Sequence, residues 1–293
     1  MRAMILGAGG MLGHDLVSSA PEGVELHALT RAELDITDTA SLAARVSDEK
    51  PDVILNTAAY TAVDRAEAER DLCFRVNAEA VGELVRIAAR ARARVVHFST
   101  DYVFNGKASQ PYKEDNPTDP VNAYGASKLA GEQALRTSGA DWLIVRTQWL
   151  FGIHGKSFPR TMWERASAGL ETRVVNDQTG RPTYSKDLAT AVWQLTERGV
   201  RGVLHIANHG QATWFEVAAQ VFSRAGRSDL LRACACAEFP RPARRPRYSV
   251  LDTTRLEQQL GGGLPSWPQA VDHFLACLSR GPRSRRAPED DTT

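Results

Sequence analysis

Short apolar runs alternate with stretches of helical periodicity from the first residue to about position 150. The runs Arg2–Leu6, Val24–Leu29, Asp52–Asn56, Arg94–Ser99 and Trp142–Arg146 are rich in Val, Ile and Leu and have the length of strands. Between them, Met11–Ser19, Ala40–Val46, Arg70–Ala91 and Ala123–Thr137 read as helices. Strands that are apolar throughout, each followed by a helix, predict an α/β fold: a doubly wound parallel sheet covered on both faces. In such open sheets ligands bind beyond the carboxyl ends of the strands.

After Arg146 the rhythm breaks. A glycine-containing stretch, 151–156, leads to further helices over Phe158–Ala168, Asp187–Arg198, Trp214–Ala225 and Trp267–Leu278, with short strands at Arg173–Val175 and Val203–Ile206. The Pro/Arg segment 240–247 is barred from regular helix by its prolines. The organisation expected is a dinucleotide-binding domain over 1–150 and a smaller substrate lobe over 151–279, some of whose segments return to the first domain. Residues 280–293 are polar, contain proline and lack apolar anchors, which predicts a disordered tail.

Composition narrows the classes. The chain of 293 residues is long enough for a substantial core, and its formal net charge of +1 offers no electrostatic case for a nucleic acid polymer or an anionic membrane surface. No apolar run approaches the roughly 20 residues of a membrane span. The N-terminal strand lacks the apolar core and cleavage site of a signal peptide, so a cytoplasmic location is expected. Cys73, Cys234, Cys236 and Cys277 are scattered and have no second Cys/His cluster beside them, so they read as reduced thiols and no metal site is expected.

The chemistry begins at the first turn. Gly7, Gly10 and Gly13 follow the first strand and open the first helix in G-x-x-G-x-x-G spacing, around Met11 and Leu12. Such a turn brings backbone close to a pyrophosphate and offers it free helix N–H groups, the mark of a Rossmann-type dinucleotide site. At the end of the second strand, Thr30 and Arg31 stand where an acid would bind a ribose 2′-hydroxyl, which favours NADPH, with NADH as the alternative. Asp35 and Ile36 follow, either beneath the adenine or, for Asp35, as a helix cap. The small residues of Asn56–Thr61 let a flat cofactor lie on the backbone, or else make a tight turn. His97, in the fourth strand, is read as facing into the sheet without a catalytic role. Thr100 at that strand's end offers a hydroxyl to a substrate oxygen.

Tyr124 and Lys128 complete the set, four residues apart on one predicted helix face. A phenol titrates near pH 10, and an adjacent ammonium favours its phenolate, which suits interconversion of a ketone and an alcohol.

Together the glycine turn, the segment Ser99-Thr100-Asp101-Tyr102-Val103-Phe104 and Tyr124-x-x-x-Lys128 resemble the extended short-chain dehydrogenase/reductases. Within them the chain is most similar to the dTDP-4-dehydrorhamnose reductase family, through residues 51–64, 97–104, 122–132, 146–149, 176–183, Arg245-Pro246 and 249–252. The resemblance, which runs from residue 1 to about 280, implies NAD(P)H-dependent reduction of the 4-keto group of dTDP-4-dehydro-L-rhamnose. It implies Tyr124 as proton donor, Lys128 on the nicotinamide ribose, Thr100 and Asp101 on the sugar, and Trp149 packed against it. Gly10, Met11 and Leu12 would line the pyrophosphate loop, and Asp35, Ile36, Ala58, Ala59, Tyr60, Thr61 and Phe98 the rest of the cofactor site. Monomer and homodimer both remain open.

Two departures stand out. Gln148 occupies a position where the family usually has Ser. Some relatives are described as magnesium-dependent, yet no carboxylate cluster here calls for a metal. Among the rivals, a 4,6-dehydratase needs an acid after Thr100-Asp101, where this chain has Tyr102, and a 4-epimerase keeps its nicotinamide tightly bound. A 4-ketoreductase for another dTDP-deoxysugar and a non-catalytic nucleotide-binding regulatory subunit are the remaining alternatives.

Overall fold

A computed structural model describes residues 1–279; the expected tail over 280–293 lies outside the described residues. The first half runs β1 (Arg2–Leu6), α1 (Met11–Ser18), β2 (Glu25–Leu29), α2 (Thr39–Glu49) and β3 (Val53–Asn56). Next come α3 (Arg70–Phe74), α4 (Ala80–Ala91), β4 (Arg94–Thr100), α5 (Ala123–Arg136) and β5 (Trp142–Thr147). The second half contains β6 (Leu150–Phe151), α6 (Phe158–Ser167), β7 (Thr172–Val175), β8 (Thr179–Gly180), β9 (Thr183–Tyr184), α7 (Ser185–Glu197) and β10 (Gly202–His205). It ends with β11 (Ala212–Thr213), α8 (Trp214–Arg224), β12 (Leu231–Cys234), α9 (Thr254–Leu260) and α10 (Trp267–Ser279).

Six strands form one parallel sheet in the order β2-β1-β3-β4-β5-β10. Its winding reverses between β1 and β3, and a crevice opens there beyond their carboxyl ends. All seven residues of β4 are buried, as a central parallel strand requires. One apolar layer packs α1 and α7 on the sheet through Leu12, Leu16, Leu188 and Trp193. The other packs α2 and α4 through Leu42, Val46, Leu84 and Val85. A third cluster, centred on Phe151, Tyr184, Phe222 and Phe274, joins α6, α8 and α10.

The predicted elements differ from the observed ones mostly by one or two residues at their ends. The stretch that reads as one helix over Arg70–Ala91 carries a π-helical turn at Arg75–Glu79 between α3 and α4. That turn aims the buried Asn77 sideways: its amide accepts from the Tyr60 N–H (2.9 Å), donates to the Tyr60 carbonyl (3.0 Å) and donates to Ser127 Oγ (3.0 Å). It thereby ties the chain after β3 to α5. The sequence pattern does not announce α9 or β12. The segment 240–247 holds no helix, and its Arg245 makes a two-pronged ion pair with Asp64 (2.9 and 2.9 Å), tying this stretch to the loop after β3.

Candidate active site

Gly7 leaves β1 at φ +80, and a Cβ there would lie 2.7 Å from the Ala58 nitrogen. Gly13 packs equally close, since a Cβ on it would meet the Gly7 carbonyl oxygen at 2.5 Å. These contacts fold the turn tightly between β1 and β3. Gly10 is the N-cap of α1; no side chain caps that helix and no acid stands in its first turn. Its free N–H groups face a cavity of about 900 Å³, lined here by Gly10, Met11, Leu12, Gly13 and His14. The cradle and the cavity fit a dinucleotide.

The opposite wall carries Thr57, Ala59, Thr61 and Phe98, three of them expected; Ala58 backs the wall against Gly7. Other expected residues do not line this cavity. The Tyr60 hydroxyl donates to Glu69 (2.7 Å), and Ile36 is buried in the apolar layer under α2. Asp35 accepts from the Thr37 N–H and pairs with the Arg31 guanidinium (3.1 Å), while the cap of α2 is Asp38. Thr30 lies beside Gly9 at the rim. The sequence shows no acid at this strand end, but Glu33 folds back to accept from both the N–H and the hydroxyl of Thr30 (2.8 Å each). Those hydrogen bonds hold the Glu33 carboxyl below its ordinary range.

Asn122 caps α5 through the Gly125 N–H (2.8 Å), so Tyr124 lies in the first turn of that helix and Lys128 one turn on. Both line the same cavity, with Thr100 and Asp101 across from them at the end of β4. Burial, then the Asp101 carboxyl, push the Tyr124 phenol up; a hydrogen bond with Thr100 opposes this. Lys128 is pushed down to about 8 by burial. Asp101 is pushed up to about 7, again by burial, although Thr100 donates to its Oδ1 (3.0 Å).

α5 is pinned to the sheet by a buried ion pair. Arg146 on β5 donates through Nε to Glu132 Oε1 (2.8 Å) and through its terminal nitrogen to Oε2 (2.7 Å), and Ser99 adds a bond to Oε1 (2.6 Å). Glu132 follows Lys128 by one turn, so this lock fixes the axial position of both site residues.

Trp149 closes the far side of the cavity. It adopts φ +46, its ring stacks on Trp214 (3.7 Å, 10°), and it fills the space over Gly180, where a Cβ would fall 2.5 Å from the indole. Beside it, Thr147, Gln148 and Asp101 line the cavity, and behind that lining Thr147 Oγ1, both amide atoms of Gln148 and Asp101 Oδ2 are enclosed with no protein partner. Such groups are costly unless a ligand satisfies them. The sequence marks Gln148 as a departure, and Thr147 only as part of the segment 146–149.

His97, expected to have no role, is buried with its Nε2 3.3 Å from Lys128 Nζ and its Nδ1 3.2 Å from the Asn56 amide nitrogen. Among the described residues no group of three or more His, Cys, Asp or Glu side chains is arranged to hold a metal ion, and no helix is long and apolar enough to cross a membrane.

Residues 1–280 match the family described as RmlD substrate binding domain. A dTDP-4-dehydrorhamnose reductase from Mycobacterium tuberculosis is 44% identical over 285 residues, covering 94% of this chain and 92% of that protein. A Streptomyces antibioticus protein named "Probable dTDP-4,6-dihydroxy-2-methyloxan-3-one 4-ketoreductase" is 42% identical over 278 residues, covering 92% and 93%. The solved structure of a dTDP-4-dehydrorhamnose reductase from Bacillus anthracis in complex with NADP superposes with a TM-score of 0.90 at 35% identity, over 94% of this chain and 98% of that one. With near-complete coverage on both sides and a family match along its whole described length, the chain belongs to the RmlD substrate binding domain family.

Proposed function

We propose that this protein is an NAD(P)H-dependent reductase that converts the 4-keto group of dTDP-4-dehydro-L-rhamnose to the alcohol of dTDP-L-rhamnose. One observation carries the reading: Tyr124, Thr100, Asp101 and Lys128 line the same cavity as the uncapped N-terminus of α1. Its volume of about 900 Å³ lies at the upper end of the usual range for small-molecule sites. The relatives named above support the choice of substrate.

Gly7, Gly10 and Gly13 give the pyrophosphate its close backbone approach, and Ala59, Thr61 and Phe98 form the wall beyond it. Bound there, the nicotinamide supplies the hydride that reduces C4. Thr100 hydrogen-bonds the keto oxygen, Tyr124 gives its proton to the developing alkoxide, and Lys128 binds the ribose hydroxyls. Trp149, backed by Trp214, covers the sugar and excludes water. Asp101, Thr147 and Gln148 line the same cavity beside it. These residue roles are assigned without magnesium, and any requirement for it is read by the EDTA comparison below. At the β2 end a guanidinium, Arg31, and a carboxylate, Glu33, stand two positions apart, which favours acceptance of both NADPH and NADH.

Incubating the protein with dTDP-4-dehydrorhamnose and either nicotinamide, with and without EDTA, tests this directly through nicotinamide absorbance and the identity of the sugar product. Tyr124→Phe is expected to leave cofactor affinity intact and lower kcat by roughly 100-fold or more; full activity in that variant would remove Tyr124 as the acid. A second reading, reduction of a different dTDP-4-keto-deoxysugar, is favoured by Gln148, whose buried amide has no partner where the family usually has Ser. A turnover comparison across dTDP-4-keto sugars separates the two.

A further inference from the structure

The indole that closes the cavity leans on a second one. Trp149 sits at a positive φ that residues other than glycine rarely adopt, and its ring lies flat on Trp214 (3.7 Å, 10°). Trp214 opens α8, where a capping box fixes its backbone: the Thr213 hydroxyl accepts from the Glu216 N–H (3.1 Å), and Glu216 accepts from the Thr213 N–H (2.6 Å). A fixed backbone still leaves the indole its side-chain rotations. Phe158 meets the ring at an angle (4.7 Å, 63°), an apolar contact that limits its distance and not its direction.

Gln178, buried just before β8, supplies the direction. An indole N–H can only donate, so the Trp214 Nε1–H, 3.1 Å from Gln178 Oε1, fixes that oxygen as the acceptor. Turning the amide over would oppose its NH2 group to the indole N–H. The NH2 group therefore faces Cys236 Sγ at 2.8 Å, and the sulfur accepts. Burial, then Asp177, push the Cys236 thiol up to about 11, so it keeps its proton and gives it to the Asp177 carboxylate. Against burial, the bonds from Cys236 hold Asp177 below its ordinary range, and the same carboxylate takes the Cys236 N–H (3.0 and 3.1 Å). A carboxylate only accepts, so the chain is fixed at both ends.

We propose that Gln178 is a positioning residue for the cover of the sugar site: a one-way hydrogen-bond chain from Trp214 through Gln178 and Cys236 to Asp177 sets the orientation in which Trp214 supports Trp149. This deepens the reductase reading and rests on it only for what Trp149 covers. Gln178 acts through the two rings, since it lies outside the lining of the cavity that holds Tyr124. With Cys236 it lines a separate cavity of about 470 Å³, which shares Trp214 with the first as a wall. One short segment thus serves both indoles: Gly180 leaves the room that Trp149 fills, and Gln178, two residues earlier, holds Trp214.

The test reads the two rings directly on the sugar-free protein. The chain has six tryptophans, so 15N-labelled tryptophan gives six indole N–H signals, of which those of Trp149 and Trp214 are identified by their loss in Trp149→Phe and Trp214→Phe. Gln178→Leu removes the acceptor at similar volume: the Trp214 signal should move toward the position of a free indole, and the Trp149 signal should shift or broaden with it. Gln178→Glu keeps an acceptor and should leave both close to the parent. In turnover, Gln178→Leu should raise KM for the keto sugar about three- to tenfold, the range of one neutral hydrogen bond, with kcat and NADPH affinity near the parent. A Trp149 signal that stays in place in Gln178→Leu, or moves equally in Gln178→Glu, overturns the proposal. If Gln178→Leu does not fold, Cys236→Val against Cys236→Ser decides it. Serine accepts and donates as the thiol does, so signals disturbed by valine and not by serine support the chain, and equal signals in the two refute it. No tryptophan signal here involves substrate, so that failure leaves the reductase reading standing. Inactivity toward keto sugars, conversely, leaves the signals untouched.

Discussion

Asp101→Asn tests whether the site stores destabilisation for its chemistry. The carboxyl is 2% exposed, its Oδ2 has no partner, and burial pushes it from the ordinary 3.8 up to about 7. Below pH 3.8 the folded and unfolded chains both hold the proton, and the group contributes no penalty. Between about 3.8 and 7 the unfolded chain has released it while the folded chain keeps it, so stability falls as pH rises; above 7 the loss is complete and flat. At about 1.4 kcal/mol per pH unit the full loss is on the order of 4 kcal/mol, and about 2–4 once water entering the cavity is allowed for. The amide of the variant is neutral throughout and removes this pH dependence. Its NH2 group inherits the unpartnered position, so the informative quantity is how the difference between variant and parent changes with pH. Urea unfolding at about pH 5 and about pH 8 should show the variant gaining about 1–2.5 kcal/mol on the parent between the two, since about two of the three pH units of the window lie there. A difference that stays constant within about 0.5 kcal/mol, the additivity error of such comparisons, would refute the buried, proton-holding carboxyl.

The same geometry bears on four other substitutions. Glu132→Gln leaves the Arg146 guanidinium buried without its counter-charge and should cost about 3–5 kcal/mol in urea unfolding, whereas replacing both partners with apolar residues should cost much less. In Gly180→Ala the new Cβ falls 2.5 Å from the Trp149 indole; displacing that ring should cut kcat/KM for the sugar by roughly 100-fold and leave cofactor affinity measured by fluorescence unchanged. Arg31→Ala should raise KM for NADPH about tenfold and spare NADH, and Glu33→Ala should do the opposite, since each removes the group matched to one ribose substituent. Equal effects on both nicotinamides would place the 2′ position elsewhere.

What is legible in the sequence is what is local in the chain. The glycine turn, the strand and helix rhythm, and Tyr124 with Lys128 each declare themselves within a few residues, because backbone room and helical spacing act over that range. The π turn at Arg75–Glu79 does not, since its added residue leaves the apolar pattern of the flanking helices continuous; only the side chain it serves, Asn77, shows why it is there. Gln148 and Thr147 are opaque because their meaning lies in missing partners, a property of the folded cavity. The environment of His97 lies between these cases. Register in a parallel sheet sets residues of equal depth side by side, so Val53-Ile54-Leu55-Asn56 and Val95-Val96-His97 place two polar side chains on one face of an apolar layer. A lone polar residue in a buried strand has few uses, but two in register must bond each other or bear the cost of dry, unpaired groups. That pairing points toward the helix that follows β4, and thus toward Lys128. The lysine's surroundings are therefore inferable from strand register alone.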